Sequence, residues 1–189
     1  MVKKNACVFI SGNGTNLKNL IKHSNNYNFP VNIKLVVSSK PNAYGLLYAK
    51  KQSIPYLIFT KKDFLSEIKI INELKRKKIK IIFLAGYMKV LSKRFINLFN
   101  NKIINIHPSL LPKFKGLNTF QKIKDKKEIK TGCTVHFVNE KLDSGKIILQ
   151  KFFFTDNSFD LEVLKMRTQK LEHRAFPEAI IKVFEKTNF

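Results

Sequence analysis

The sequence predicts an α/β protein built on one doubly wound, mainly parallel sheet with helices on both faces. Short apolar runs typical of buried parallel strands alternate with longer segments that carry apolar residues at helical spacing. A chain of 189 residues is long enough to cover such a sheet and short enough to form a single domain over residues 1–189. We find no internal repeat and no linker that would divide it.

The first half of the chain alternates strictly between strand and helix patterns. The predicted strands cover residues 6–10, 33–37, 56–59 and 79–84. The predicted helices cover residues 16–23, 43–51 and 61–77, followed by one that Ser92 caps and that carries Phe95, Leu98 and Phe99.

The second half departs from this alternation. After a strand that ends near residue 107, we predict a short helix over residues 116–126. Two apolar runs, 132–138 and 146–154, are predicted to form an antiparallel pair that closes one edge of the sheet. A long amphipathic helix should then run over residues 159–186, and Pro177 should kink it or divide it in two.

The most informative stretch is Asn-Ile-His-Pro-Ser-Leu-Leu-Pro at residues 105–112. Asn105 and His107 lie two residues apart at the end of a predicted strand, so their side chains share a face. Pro108 ends that strand. An amide and an imidazole therefore lie at the carboxyl edge of a sheet, where open α/β folds bind ligands. They offer an oxyanion donor and a proton-transfer group, although Asn-x-His alone also fits an ordinary strand end.

A glycine turn follows the first strand. Its Gly12-x-Gly14 spacing is that of a dinucleotide fold, but the third glycine would fall at Leu17 and no acidic residue ends the second strand. The lysine of a Walker loop is missing too. Backbone donors at Gly14, Thr15 and Asn16 suit a terminal phosphate monoester, and an ordinary tight turn is the alternative.

The net charge of +23 suggests nucleic acid as a partner, but the distribution of the charge argues against it. Of the 36 basic residues, four are arginine and 32 are lysine, spread along nearly the whole chain. A nucleic-acid surface would favour arginine and a concentrated patch with stacking aromatics, whereas most aromatics here fall in core patterns. We interpret the excess as lysine on solvated faces, with attraction of anionic substrates as a consequence.

Two features predict a cytoplasmic protein. Cys7 and Cys133 lie in apolar strand patterns far apart in sequence, which favours reduced core thiols over a disulfide or a metal pair. No apolar run is long enough to span a bilayer, and the amino terminus leads directly into a strand, so we expect no signal peptide and no membrane contact.

Several blocks, in order from near residue 6 to about residue 180, resemble the folate-dependent formyltransferases, and most closely those that formylate glycinamide ribonucleotide in purine biosynthesis. One is the stretch 105–112. The others are the glycine loop 11–17, the segment Leu-Ala-Gly-Tyr-Met-Lys-Val-Leu at 84–91, the block Gly-Cys-Thr-Val-His-Phe-Val at 132–138, and residues 142–145 with 148–150.

This resemblance implies a Rossmann-like formyltransferase fold and direct transfer of a formyl group from 10-formyltetrahydrofolate to the amine of glycinamide ribonucleotide. Asn105 would donate to the tetrahedral oxyanion. His107, held by Asp143, would stabilise that oxyanion and assist proton transfer to the leaving nitrogen. No metal and no covalent enzyme intermediate are implied, and the protein would be a monomer or a homodimer.

The resemblance also implies two substrate sites. Gly14, Thr15, Asn16, Gln169 and Glu172 would bind the ribonucleotide. The folate would contact Met88, Lys89, Val90, Leu91, Asn105, Glu140, Lys141, Leu142 and Asp143. The residues leave the orientation of His136 open, towards the core or towards the site, and we expect His23 and His173 to be structural.

Three departures from the family pattern concern the folate side. Lys61 or Lys62 could replace an arginine that commonly meets the folate, Lys115 stands where proline is usual, and Asn118 stands where histidine is common. Relatives with the same chemistry, formyltetrahydrofolate deformylase and methionyl-tRNA formyltransferase, carry an additional domain for which we expect no room here.

Overall fold

The computed structural model describes residues 2–60, 63–155 and 160–186. Strands and helices alternate as the sequence predicts, up to the antiparallel pair near the end. The strands are β1 Lys4–Ile10, β2 Val31–Ser38, β3 Tyr56–Ile58, β4 Ile81–Leu84, β5 Ile103–His107, β6 Lys130–Phe137 and β7 Ile147–Phe154. The helices are α1 Thr15–Ser24, α2 Leu46–Lys51, α3 Phe64–Arg76, α4 Lys93–Leu98, α5 Thr119–Asp125 and α6 Leu161–Lys186.

The strands form one seven-stranded sheet in the order β3-β2-β1-β4-β5-β6-β7. The first five strands of this order are parallel, and β6 and β7 add to one edge in antiparallel orientation. The predicted fold class is therefore confirmed. Because the chain moves outward from β1 in one direction and then returns to its other side at β4, the carboxyl ends of β1 and β4 form a topological switch point.

Hydrophobic side chains cover the sheet on both faces. Along β1, Ala6, Val8 and Ile10 point into one apolar cluster, while Cys7 and Phe9 point into the other. Helix α6 supplies Phe176 to the first cluster, where its ring meets that of Phe83 edge-on at 5.7 Å. Cys133 belongs to this first cluster, so the two cysteines, both free and buried, lie on opposite sides of the sheet.

Pro177 does not divide the last helix, which continues from Leu161 to Lys186. A proline nitrogen cannot donate to the carbonyl four residues earlier, which here belongs to His173. The side-chain nitrogen of Asn19 on α1 donates to that carbonyl at 2.7 Å. A tertiary hydrogen bond thus replaces the missing helical one. Of the two predicted effects of Pro177, a kink or a division, the division was wrong.

Two helices begin later along the chain than the sequence predicts. The helix predicted from residue 116 begins at Thr119, because Gly116 and Asn118 hold left-handed conformations with φ of +76° and +57°. The helix predicted from residue 43 begins at Leu46. The predicted cap is confirmed, since the Ser92 hydroxyl accepts from Phe95 N at 3.0 Å.

Candidate active site

A cavity of about 780 Å³ opens at the carboxyl ends of β4 and β5, next to the switch point. Parallel strands bring their carboxyl ends to one edge of the sheet, so segments distant in sequence converge there. All the residues predicted to contact folate line this cavity: Met88, Lys89, Val90, Leu91, Asn105, Glu140, Lys141, Leu142 and Asp143.

The predicted catalytic residues form one cluster at the wall of this cavity, in which His107 and Asp143 are buried and Asn105 is half-buried. His107 Nδ1 lies 3.4 Å from Asp143 Oδ2, and Asn105 Nδ2 lies 3.5 Å from Asp143 Oδ1. His107 is 5% exposed and Asp143 9% exposed, so water screens their interaction weakly. A single carboxylate therefore contacts both strand residues, one through each oxygen.

Tight loop geometry places Asp143 in the cluster. Asp143 itself is left-handed with φ of +45°, and Gly116 N donates to its Oδ2 at 2.8 Å. Gly145 packs so closely that an added Cβ would lie 1.7 Å from Phe137 O. The loop between β6 and β7 therefore turns sharply beside the sheet, and a strained backbone at a cavity wall is typical of a functional site.

The ring of His107 is oriented from both sides. Phe114 O lies 2.8 Å from Nε2 and can only accept, so Nε2 carries a hydrogen. Nδ1 then faces the Asp143 carboxylate. Contacts at both ring nitrogens thus hold the imidazole in one orientation at the wall of the cavity.

His136, whose orientation the sequence left open, points into the cluster. It is 2% exposed, and its Nε2 lies 3.2 Å from Asn105 Nδ2. Burial, the largest cause, lowers the pKa of its ring. The antiparallel register pairs Asn105 with His136 directly. Knowledge of this register would have been enough to place the His136 side chain beside Asn105 from the sequence.

The glycine loop and α6 bring the predicted ribonucleotide residues together. Gly14 is left-handed with φ of +68° and lies so close to Gly45 that an added Cβ would be 2.4 Å from its Cα. Gln169 Nε2 donates to Thr15 Oγ1 at 3.1 Å, and Asn16 Nδ2 donates to Glu172 Oε2 at 2.8 Å. These contacts surround the amino end of α1, where backbone N–H groups and the helix dipole favour an anion.

Two polar groups in this region have properties that are common among ligand-binding residues. Asn16 Oδ1 is buried and has no hydrogen-bond partner within the described part of the chain. Desolvation raises the pKa of the Glu172 carboxyl to about 7, although the hydrogen bond from Asn16 opposes the shift. Such a perturbed carboxyl beside an unpaired acceptor is typical of a binding site.

The raised pKa of Glu172 predicts a pH-dependent stability. The folded protein holds this proton more tightly than the unfolded chain, so folding stability falls as pH rises from about 4.5 to about 7. Glu172→Gln removes that loss and keeps an acceptor for Asn16. We expect the Gln variant to melt at least about 2–4 °C above the parent at pH 8, the shift given by 1 kcal/mol in a domain of this size. Near pH 5 the difference should shrink.

Thermal unfolding followed by circular dichroism at several pH values provides the measurement. Glu185→Gln is the matched control, because Glu185 is an exposed residue of the same helix. Equal melting temperatures for the Glu172→Gln variant and the parent across this pH range would contradict a raised pKa at Glu172.

Asn118, one of the three departures from the family pattern, lines the cavity. Several residues that the sequence did not indicate line it too: Thr119, Phe120, Gln121, Leu161 and Lys165. Lys115 is exposed, and its carbonyl accepts from Lys122 Nζ at 3.1 Å. The Glu140 carboxylate is held by α4, with Asn97 Nδ2 at 3.0 Å and Lys93 Nζ at 3.7 Å. The predicted substitutes Lys61 and Lys62 lie outside the described residues.

Two features are absent from the described residues. No group of three or more histidine, cysteine, aspartate or glutamate side chains in the described ranges is arranged to hold a metal ion. Among the helices of those same ranges, none combines the length and apolar character needed to cross a bilayer.

Comparison with known proteins agrees with this geometry. Residues 4–180 match the family model described as formyl transferase. The phosphoribosylglycinamide formyltransferase of Haemophilus influenzae is 41% identical over 183 residues, covering 94% of this chain and 85% of that protein. The protein of the same name from Bacillus subtilis is 35% identical and covers 94% of this chain and 93% of its own length.

Longer relatives and solved structures extend the comparison. The human trifunctional purine biosynthetic protein is 38% identical over 94% of this chain, which spans only 18% of that protein. The crystal structure of phosphoribosylglycinamide formyltransferase from Bacillus halodurans superposes with a TM-score of 0.91 at 33% identity, covering 97% of this chain and 96% of the other. The chain therefore belongs to the formyl transferase family.

Proposed function

We propose that this protein transfers the formyl group of 10-formyltetrahydrofolate to the amine of glycinamide ribonucleotide, giving the N-formyl product and tetrahydrofolate in purine biosynthesis. The observation that carries the proposal is the cluster of Asn105, His107 and Asp143 at the wall of an apolar cavity. The relatives that the chain matches over nearly their whole length bear the name of this activity.

The reaction has three steps that these residues can serve. The amine attacks the formyl carbon, and the carbonyl oxygen becomes an oxyanion. Asn105 donates its amide hydrogen to this oxygen, and the His107 ring, held by Asp143, stabilises it. The bond from carbon to N10 then breaks, and a proton that the attacking amine loses reaches N10 with help from His107.

Each substrate has a region whose chemistry matches it. We assign the phosphate of the ribonucleotide to the amino end of α1, next to the hydrogen-bonded pair of Asn16 and Glu172. The folate ring system lies in the cavity against the apolar side chains of Val90 and Leu91. The Lys89 ammonium donates hydrogen bonds to the carbonyl oxygens of Phe59 and Thr60. These bonds connect the folate-contacting residues 88–91 to the segment that follows β3.

The two regions are physically linked. The Ser11 hydroxyl, at the end of β1, accepts from Met88 N at 2.8 Å and shares a hydrogen bond with the Ser39 hydroxyl at 2.6 Å. The glycine loop that begins at Ser11 is thus fixed to the segment that would contact the folate. This connection supports a single reaction centre between the two substrates.

A paired substitution separates ribonucleotide binding from chemistry. Thr15→Ala combined with Asn16→Ala removes the contacts to Gln169 and Glu172. We expect the KM for the ribonucleotide to rise at least about tenfold, since hydrogen bonds to charged groups are worth about 1.5–3 kcal/mol. The KM for the folate should change little, and steady-state kinetics with each substrate varied in turn measures both.

The control for this variant is Asn100→Ala, an exposed position between α4 and β5. An equal rise of both KM values in the paired variant would mean that the glycine loop only supports the fold.

The proposed activity is tested by release of tetrahydrofolate with and without glycinamide ribonucleotide. We expect release only when the ribonucleotide is present. Equal release of tetrahydrofolate with and without the ribonucleotide would instead indicate hydrolysis of the formyl group, as in a deformylase.

We further propose that residues 1–189 act as one domain in the cytoplasm, as a monomer or homodimer without a specific nucleic-acid partner. The buried free thiols of Cys7 and Cys133 support a reducing compartment.

A further inference from the structure

We infer that His136 is a positioning residue for the reaction, because it fixes the orientation of the Asn105 amide so that its nitrogen faces the reacting centre. The inference rests on the proposed function, in which Asn105 donates to the oxyanion. It adds His136 to the three predicted catalytic residues, as the closer of two acceptors that hold this amide.

The hydrogen bonds of His136 define its tautomer. Nδ1 lies 2.8 Å from the carbonyl oxygen of Phe137, which can only accept, so Nδ1 carries the ring hydrogen. In the neutral ring, Nε2 then presents a lone pair. Asn105 Nδ2 lies 3.2 Å from Nε2 and must donate to it.

Two acceptors therefore flank the same amide nitrogen. Asp143 Oδ1 lies 3.5 Å from Asn105 Nδ2, on a second side. If the amide were flipped, its oxygen would face a lone pair of His136 and a carboxylate oxygen of Asp143, and both contacts would be repulsive. The nitrogen is thereby held on this side.

The two contacts differ in a way that suits catalysis. The hydrogen bond to His136 is the shorter, while the contact to Asp143 is at the outer limit of hydrogen bonding. One amide hydrogen is thus anchored by His136. The other is only weakly engaged by Asp143, so it stays available to an oxyanion that develops within its reach in the cavity.

The arrangement requires a neutral His136. An imidazolium would donate from both nitrogens and would attract Asn105 Oδ1 in place of Nδ2. Burial opposes this charge, and His107 and Lys115 oppose it further, whereas Asp143 and the Phe137 carbonyl favour it. The ring is 2% exposed, so solvent does not compete for Nε2.

A pair of substitutions separates positioning from a structural role. In His136→Asn the side chain reaches only the Nδ1 position, so the bond to Phe137 can form but the acceptor for Asn105 is lost. In His136→Gln the amide oxygen reaches the Nε2 position and can accept from Asn105. The two side chains differ by one methylene group. His136→Asn can keep only the hydrogen bond to Phe137, whereas His136→Gln can keep the one from Asn105.

We expect His136→Asn to lower kcat about 10²-fold, the effect of a reacting group misplaced by about 1 Å. Both KM values should stay nearly unchanged, and His136→Gln should recover most of kcat. Combined with Asn105→Ala, the His136→Asn change should add little, because groups that act as one unit are not additive. The inference is wrong if the kcat losses of His136→Asn and Asn105→Ala multiply in the double variant. It is also wrong if His136→Gln lowers kcat as much as His136→Asn does.

A measurement without turnover keeps this test separate from the proposed function. The ¹⁵N shifts of the His136 ring should show a hydrogen on Nδ1 and a lone pair on Nε2 at neutral pH. The side-chain amide resonance of Asn105 should shift in His136→Asn and return towards its parent position in His136→Gln. An Nε2–H tautomer, or an unmoved Asn105 amide, would overturn the inference even in an active enzyme. If the parent protein shows no ribonucleotide-dependent turnover, the proposed function fails while these spectra still report on His136.

Discussion

Replacing His107 by Ala, or Asp143 by Asn, is expected to lower kcat by about 10²–10⁴-fold, the usual contribution of a positioned acid–base group. His107 Nδ1 and Asp143 Oδ2 are 3.4 Å apart in a buried setting, and Phe114 fixes the other ring nitrogen. Removing the ring removes the group that is proposed to stabilise the oxyanion and to assist proton transfer. Neutralising the carboxylate removes the partner that holds the ring in this orientation.

The two residues should behave as one unit. The double variant is expected to be little worse than the poorer single variant, because either change alone disables the pair. His23→Ala and Asp125→Asn are suitable controls: His23 packs on Phe29 at the end of α1, and Asp125 accepts from Gln121 on the surface. Steady-state kinetics of all five variants measures the coupling, and fully multiplicative losses in the double variant would show that His107 and Asp143 act independently.

Asn105→Ala is expected to lower kcat by about 10²–10³-fold, the cost of losing one oxyanion donor. The amide is useful only where negative charge develops, so its loss weakens the transition state more than the bound substrates. Both KM values should therefore change much less than kcat. The comparison variant is Asn97→Ala, whose side chain contacts Glu140 at the cavity rim and not the catalytic cluster.

An alternative role for Asn105 would give a different pattern. If its amide only holds the folate, Asn105→Ala should raise the folate KM strongly and leave kcat near that of the parent protein. Thermal unfolding should accompany these assays, because Asn105 also contacts Asp143 and His136 inside the cluster.

The sequence predicted much of this architecture because its signals are local. Alternation of apolar runs indicated the parallel strands, and the two-residue spacing of Asn105 and His107 placed both side chains on one face at the strand end. Pro108 marked where the strand stops. These features depend on neighbouring residues alone, and the structure agrees with them.

Other features depend on contacts between distant segments and could not be predicted from local pattern. Pro177 stays inside α6 because Asn19, 154 residues from the carbonyl that it contacts, satisfies that carbonyl. The orientation of His136 follows from the register between β5 and β6. Asp143 reaches the cluster because its backbone is left-handed. The residue type alone does not predict that conformation. Only the family resemblance therefore indicated Asp143 as a site residue.

The most direct test of the account follows the formyl carbon itself. With 10-formyltetrahydrofolate labelled with ¹³C in the formyl group, a single turnover in the presence of glycinamide ribonucleotide is monitored by NMR. We predict that the label moves to the glycinamide nitrogen, in step with tetrahydrofolate release, and that His107→Ala slows both equally. Label recovered as formate, or left on the folate while the ribonucleotide is bound, would contradict formyl transfer as the function of this protein.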